Sequence, residues 1–164
     1  MDFQLVRANA DDAQDLLSMQ RKCFKKHFER YQDFSGSPYK EELEKMLFKI
    51  NHEQGNYYKI VSYKTCIGGI WILEKESKIF RVGIVYILPE YQGKGVGQKA
   101  LAMAEKLHGD AKGWELDCPE DLAVNRRCYE KAGYTLTGEK EIINERLTLL
   151  SYKKDASQGR ECVF

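Results

Sequence analysis

The segment YILPEYQGKGVGQKAL, residues 86–101, divides the chain into two halves of different character. Upstream, YYKIVSY (57–63), IGGIWILE (67–74) and IFRVGIVYIL (79–88) are rich in β-branched and aromatic residues and separated by short polar turns. Strands linked this tightly pair antiparallel, because a parallel crossover needs a dozen or more residues. Downstream the pattern is α/β: a helix at 96–108, the strand WELDC, a helix at 120–132, then strands near 134–139 and 145–153. Ahead of the hairpins, FQLVRAN (3–9) alternates weakly as a first strand. DDAQDLLSMQRKCF then sets Leu16, Leu17, Met19, Cys23 and Phe24 on one helical face, with Asn9 or Asp11 as cap. Ser37-Pro38 reads as the cap and first position of a second helix through Leu43, Met46, Leu47 and Ile50.

At the junction itself, Pro89 stops the strand ladder by lacking an N–H, and Gln92 to Gly97 feed directly into a helix. A helix N-terminus carries unpaired N–H groups and a partial positive charge, so an anion can sit there. Glycines at 93, 95 and 97 let the backbone approach that anion without a Cβ collision, and Lys94 adds a countercharge. The plainer use of the same glycines is a tight turn and a close helix–strand contact. A P-loop is excluded, because Gln98 stands where its second glycine belongs and no Lys-Ser/Thr follows. Gly95, Gly97 and Ala100 satisfy G-x-G-x-x-A, with Glu115 and Asp117 near the place of a ribose-binding acid. Yet Pro89 to Lys94 separate strand from glycine, and the strand-rich half precedes the loop, so a dinucleotide-dependent oxidoreductase is the weaker alternative.

Composition narrows the class. A chain of 164 residues is long enough for one real core, here expected over 1–154 with a loosely held tail at 155–164. Its 26 Lys+Arg balance 25 Asp+Glu, which suggests neither nucleic acid nor an anionic membrane as a partner. No apolar run reaches the roughly 18 residues of a membrane span, and MDFQLVRANADD lacks the order of a signal peptide, so a soluble cytoplasmic protein is expected. Cys23, Cys66, Cys118, Cys128 and Cys162 are odd in number and contain no CxxC pair, so neither a disulfide framework nor a metal site is expected.

Gln92-Gly93-Lys94-Gly95-Val96-Gly97, preceded by an apolar strand and Pro-Glu-Tyr, resembles the Q/R-x-x-G-x-G/A acetyl-CoA signature of the GCN5-related N-acetyltransferases, the GNAT family. Further on, Asn125-Arg-Arg-Cys-Tyr129-Glu-Lys-Ala-Gly-Tyr134 resembles that family's helix-ending segment. Element order is also similar across residues 2–154. The resemblance implies an α/β fold with a mixed, mostly antiparallel sheet flanked by four helices and splayed between its fourth and fifth strands, here 79–88 and 113–118. It implies acetyl-CoA as acetyl donor, held by backbone groups near Ile87 and Leu88, by the Gln92–Lys94 loop, and by N–H groups of Gly93, Gly95, Val96, Gly97 and Gln98. Asn125 would touch the cosubstrate, and Tyr129 would protonate the departing thiolate.

The implied reaction is direct acetyl transfer to the primary amine of a small molecule, peptide or protein. Two departures stand out: Leu122 occupies the place of the family's more usual Asn, and residues 79–88 carry none of the acids that many relatives use as general base. Glu145, Asp117 and His27 are the remaining candidates for the base. Phe28, Tyr31, Phe34 and Tyr39 fall where the family builds its acceptor wall, and packing explains them equally well. A protein that binds acyl-CoA without turnover is the alternative suggested by the missing acid. The resemblance leaves a homodimer open.

Overall fold

A computed structural model describes residues 1–156. The elements run β1 (Gln4–Arg7), α1 (Ala13–Tyr31), α2 (Leu43–Asn51), β2 (Gly55–Ser62), β3 (Thr65–Glu74), β4 (Ile79–Ile87), α3 (Val96–Leu107), β5 (Gly113–Pro119), α4 (Ala123–Lys131), β6 (Thr135–Asn144) and β7 (Leu147–Asp155). The strands form one sheet in the order β1-β2-β3-β4-β5-β7-β6. β4 and β5 run parallel, and the other neighbours antiparallel.

Helices cover both faces, and the cores beneath them follow from side-chain periodicity. On α1, Leu16, Leu17, Gln20 and Tyr31 are buried at helical spacing, and Leu16 and Leu17 pack with Met46 and Ile50 of α2 against Tyr57, Ile84 and Tyr86. Across the sheet, Leu101 and Ala104 of α3 meet Phe80, Val82, Trp114, Leu116 and Tyr152.

β4 contributes to both cores because it changes face midway. Val82 pairs with Ile72 and Ile84 with Trp71, so Gly83 is an extra residue, a β-bulge. Phe80 and Val82 therefore point to the α3 side, while Ile84 and Tyr86 point to the α1 side. Glycine is required at the bulge, since a Cβ there would lie 2.5 Å from the Trp71 ring.

The expected elements are present, with one of the two expected caps chosen and two boundaries moved. Asn9 caps the chain's entry to α1, accepting from Asp11 N–H and completing a reciprocal pair with Asp12. Ser37-Pro38 opens only a single 3-10 turn at Pro38–Lys40, and α2 starts at Leu43. The intervening carbonyls are taken by α1 instead: Gln20 donates to the Pro38 carbonyl at 2.9 Å and Arg21 to that of Glu41 at 2.8 Å. Third, β6 and β7 run to Asn144 and Asp155, past the expected ends, with a register shift around Gly138, where φ is +93°. Asp155 thus belongs to the sheet, opposite Gly113, whereas 157–164 of the expected tail lie outside the described residues, Cys162 among them. Among the described residues no helix is long and apolar enough to cross a membrane, and no His/Cys/Asp/Glu group could hold a metal ion.

Candidate active site

The β4–β5 ladder is short. Ile79, Phe80 and Arg81 pair with Gly113, Trp114 and Glu115, and beyond Arg81 the strands part, immediately before the bulge at Gly83. Charges clamp the fork: Arg81 meets Asp117 at 2.5 Å and Glu115 at 3.5 Å, and Lys75 meets Glu115 at 2.5 Å. Glu115 and Asp117 are thereby committed to cations of the sheet, which removes the ribose-binding role weighed for them. Above the fork lies a cavity of about 730 Å³, bounded by β4, β5, α1, α4 and the loop before α3.

One wall is the open edge of β4. Leu88 N–H donates to the Ile67 carbonyl at 2.8 Å, and the register pairs Ile87 with Gly68 and Val85 with Ile70. In an antiparallel ladder the bonding alternates, so the N–H and C=O groups of Val85 and Ile87 turn away from β3 toward the gap. The Ile87 carbonyl shows this, accepting from Gln92 Nε2 at 2.9 Å and from Cys23 Sγ at 3.5 Å. Leu88, expected as a backbone contact, thus spends its N–H inside the sheet and does not line the cavity; Val85, two residues before Ile87 on the same open edge, does. No sequence signal distinguished the two, since the assignment depends on register.

The end wall is the start of α3. Gly93 and Gly95 both adopt φ of +75°, which other residues rarely take, and Gly95 is the N-cap without a side-chain cap. The first helical bond runs from Lys99 N–H to the Gly95 carbonyl at 3.1 Å, leaving the N–H groups of Val96, Gly97 and Gln98 without a partner inside the helix. Val96, buried beside Ile60 and Ile67, fixes this helix end to the sheet. Gly97 is different from its two neighbours: its φ is ordinary and a Cβ would meet nothing within 4 Å. Neither strain nor packing within the chain calls for glycine there, so the space beside it is a cradle that a side chain would fill. Gln92, Gly93, Gly95, Val96, Gly97 and Gln98 line the cavity; Lys94 does not, its ammonium lying 5.9 Å from the Tyr91 ring centre.

α4 and α1 form the sides. Asn125, Cys128 and Tyr129 face the cavity from α4, and Leu122 and Tyr129 also pack on the core. Burial pushes the Tyr129 phenol well up, the neighbouring Cys118 and Cys128 adding to it and a hydrogen bond with Asn125 opposing it. Burial likewise raises the thiols of Cys23, to about 11, and of Cys128, so neither is a thiolate at neutral pH. From α1, Phe24, His27, Phe28 and Tyr31 line the cavity. Phe34 and Tyr39 of the expected acceptor wall instead pack on Phe28, Phe34 edge-on and Tyr39 stacked, each with ring centres 5.2 Å away. Of the three candidate bases, Asp117 and His27 line the cavity and Glu145, in the β6–β7 turn, does not. Arg81 and the α1 residues Cys23 and Phe24 carried no functional signal in the sequence, because only the strand register and the helix crossing bring them here.

Residues 14–134 match the profile of the acetyltransferase (GNAT) family. No curated protein is similar enough in sequence to match. Among solved structures, PaiA N-acetyltransferase from Thermoplasma acidophilum in complex with coenzyme A superimposes with a TM-score of 0.73 at 19% identity, over 94% of this chain and 99% of that one. Spermidine N-acetyltransferase from Vibrio cholerae, in complex with CoA and spermine, gives a TM-score of 0.75 at 17% identity, over 94% and 96% of the two chains. The sheet order, the parallel β4–β5 pair and the flanking helices are those of this fold.

Proposed function

The chain belongs to the acetyltransferase (GNAT) family, whose members use acetyl-CoA, and from that premise we propose that it transfers the acetyl group directly to a primary amine. The observation that carries this reading is the continuity of an open strand edge at Val85 and Ile87 with a helix end whose first N–H groups have no partner inside the helix and that has open space beside Gly97.

In this reading the outward N–H and C=O of Val85 and the N–H of Ile87, whose carbonyl is held by Gln92 and Cys23, bind the amides of the pantetheine arm as a neighbouring strand would. One of their N–H groups also points at the thioester oxygen, where negative charge develops, an interaction worth about 3 kcal/mol in comparable sites. The N–H groups of Val96, Gly97 and Gln98, aided by the helix dipole, hold the diphosphate, and Lys94 swings from Tyr91 to add a countercharge. Asn125 orients the Tyr129 hydroxyl. Tyr129 donates its proton to sulfur as the C–S bond breaks, a task that a phenol with a raised pKa performs while fully protonated at neutral pH. The acceptor enters along α1, between the Phe24–Phe28–Tyr31 face and β5.

The test is a ligand-shift melt followed by turnover. At a hundred times its Kd, acetyl-CoA should stabilise the fold by about 2.7 kcal/mol, whereas NADH should leave the melting temperature unchanged. Free thiol should then appear with a panel of primary amines including spermidine and benzylamine. Binding without thiol release would identify a non-catalytic acyl-CoA-binding protein instead.

A further inference from the structure

We propose that His27 of α1 is the general base that removes a proton from the acceptor ammonium, replacing the acid that β4 lacks. The assignment rests on the acetyl-transfer reading and on where α1 crosses the sheet. Cys23 Sγ touches the Ile87 carbonyl on the open edge of β4 at 3.5 Å. Two turns later Tyr31 donates to Asp121, just past β5, at 2.6 Å, and Arg30 reaches the same carboxylate at 2.6 Å. α1 therefore spans the mouth of the splay, anchored on one strand and then on the loop after the other.

His27 is four residues from each anchor, so it lies on the same helical face about 6 Å along the axis from both, over the gap. It lines the cavity, with Nδ1 buried and the Cys23 backbone, one turn earlier, as a hydrogen-bonding neighbour of the ring. An imidazole held through one nitrogen by the backbone of its own helix can offer the other nitrogen to a ligand. Its ring stacks loosely between Phe24 and Tyr31, at 5.6 and 6.2 Å, which limits where it can turn.

Other groups at the cavity are unsuited. Asp117 is held by Arg81 at 2.5 Å, Asp33 accepts from the Gly36 N–H at 3.0 Å, and the Tyr86 hydroxyl is shared with Tyr57 at 2.6 Å. Asp121 is taken by Arg30 and Tyr31, and residues 79–88 hold no acid. Burial lowers the imidazole's pKa below 6.5, with Arg30 acting in the same direction and the hydrogen bond with the Cys23 backbone and the Asp121 charge in the opposite one, so the ring is neutral at physiological pH. The chemistry balances: neutral His27 takes one proton from R–NH3⁺ and passes it to water. The freed nitrogen lone pair forms the C–N bond, the C–S bond breaks, and the nitrogen's next proton compensates the one sulfur receives.

The experiment compares wild type with His27→Gln, using benzylamine, which is protonated at neutral pH, and aniline, which is not. The base assignment expects kcat/KM for benzylamine to fall about a hundred- to ten-thousand-fold. It also expects the wild-type loss of rate on acidification below 6.5 to disappear, aniline to lose much less, and acetyl-CoA affinity to stay within a few-fold. Added imidazole should partly restore a His27→Ala variant. An intact acidic limb in a variant that binds acetyl-CoA normally, or equal losses with both amines, would overturn it. Failure of the underlying reading looks different: wild type then binds acetyl-CoA yet releases no thiol with any amine, and the base assignment falls with it.

Discussion

Replacing Gly97 with Val separates the ligand's need for space from the chain's own. A glycine in a helical turn costs roughly 0.5–1 kcal/mol relative to Ala, so a glycine with ordinary φ and no steric neighbour is a liability to folding. Gly97→Ala and Gly97→Val should therefore fold, with Ala slightly more stable than wild type and Val near it. The family signature itself admits Ala at this place, so Ala should keep acetyl-CoA affinity within a few-fold. The two extra methyl groups of Val project into the space beside the free N–H groups of Val96, Gly97 and Gln98. Displacing the diphosphate from even one of them forfeits a charge-assisted hydrogen bond worth about 1.5–3 kcal/mol, a ten- to hundredfold weaker Kd. Calorimetric titration with acetyl-CoA, beside thermal melts without ligand, reads both quantities. A Val variant that melts like wild type and binds acetyl-CoA equally well would refute the assignment of this helix end to the diphosphate. Gly95→Val is a poorer probe, because φ of +75° makes any loss ambiguous with backbone strain.

Tyr129→Phe should lower kcat at least tenfold with acetyl-CoA affinity unchanged; a rate within twofold of wild type under chemistry-limited conditions would make Tyr129 a packing residue only. Lys49 and Glu41 are a buried pair, with side chains 10% and 4% exposed and 2.5 Å apart, so Lys49→Met should cost about 3–5 kcal/mol by stranding the carboxylate. Adding Glu41→Gln should recover much of that in a denaturant titration, and a single variant as stable as wild type would show that water reaches Glu41. Burial alone would raise the Asp121 pKa, but hydrogen bonds from Tyr31 and Arg30 outweigh it and hold the group below 3.8. A depressed carboxylate adds stability above its unfolded value and loses it as pH falls through the folded one. The latch between α1 and the β5–α4 loop should therefore weaken only below 3.8, and Asp121→Asn should flatten that part of the melting-temperature profile.

The sequence by itself determined what depends on neighbours along the chain. The hairpins at 57–88, the α/β half after Gly95, the cap at Asn9 and the anion-ready start of α3 were all legible, because turn length, side-chain period and free N–H groups are local properties. The two motifs together also identified the family. Register was not local. Whether Val85 or Leu88 offers its N–H to the gap depends on the pairing with β3, and a shift of one residue exchanges ladder-facing for edge-facing groups. The bulge at Gly83 is set by Trp71 on the adjacent strand, and it turns Ile84 and Tyr86 toward α1 where the β5 ladder has just ended. Likewise, a histidine in the middle of an amphipathic helix reads as ordinary surface until the helix is seen crossing from Ile87 to Asp121 over an open gap. Tertiary structure decided those positions because each is fixed by contacts with another element, from Trp71 on the adjacent strand to Asp121 beyond β5, out of the reach of any local pattern.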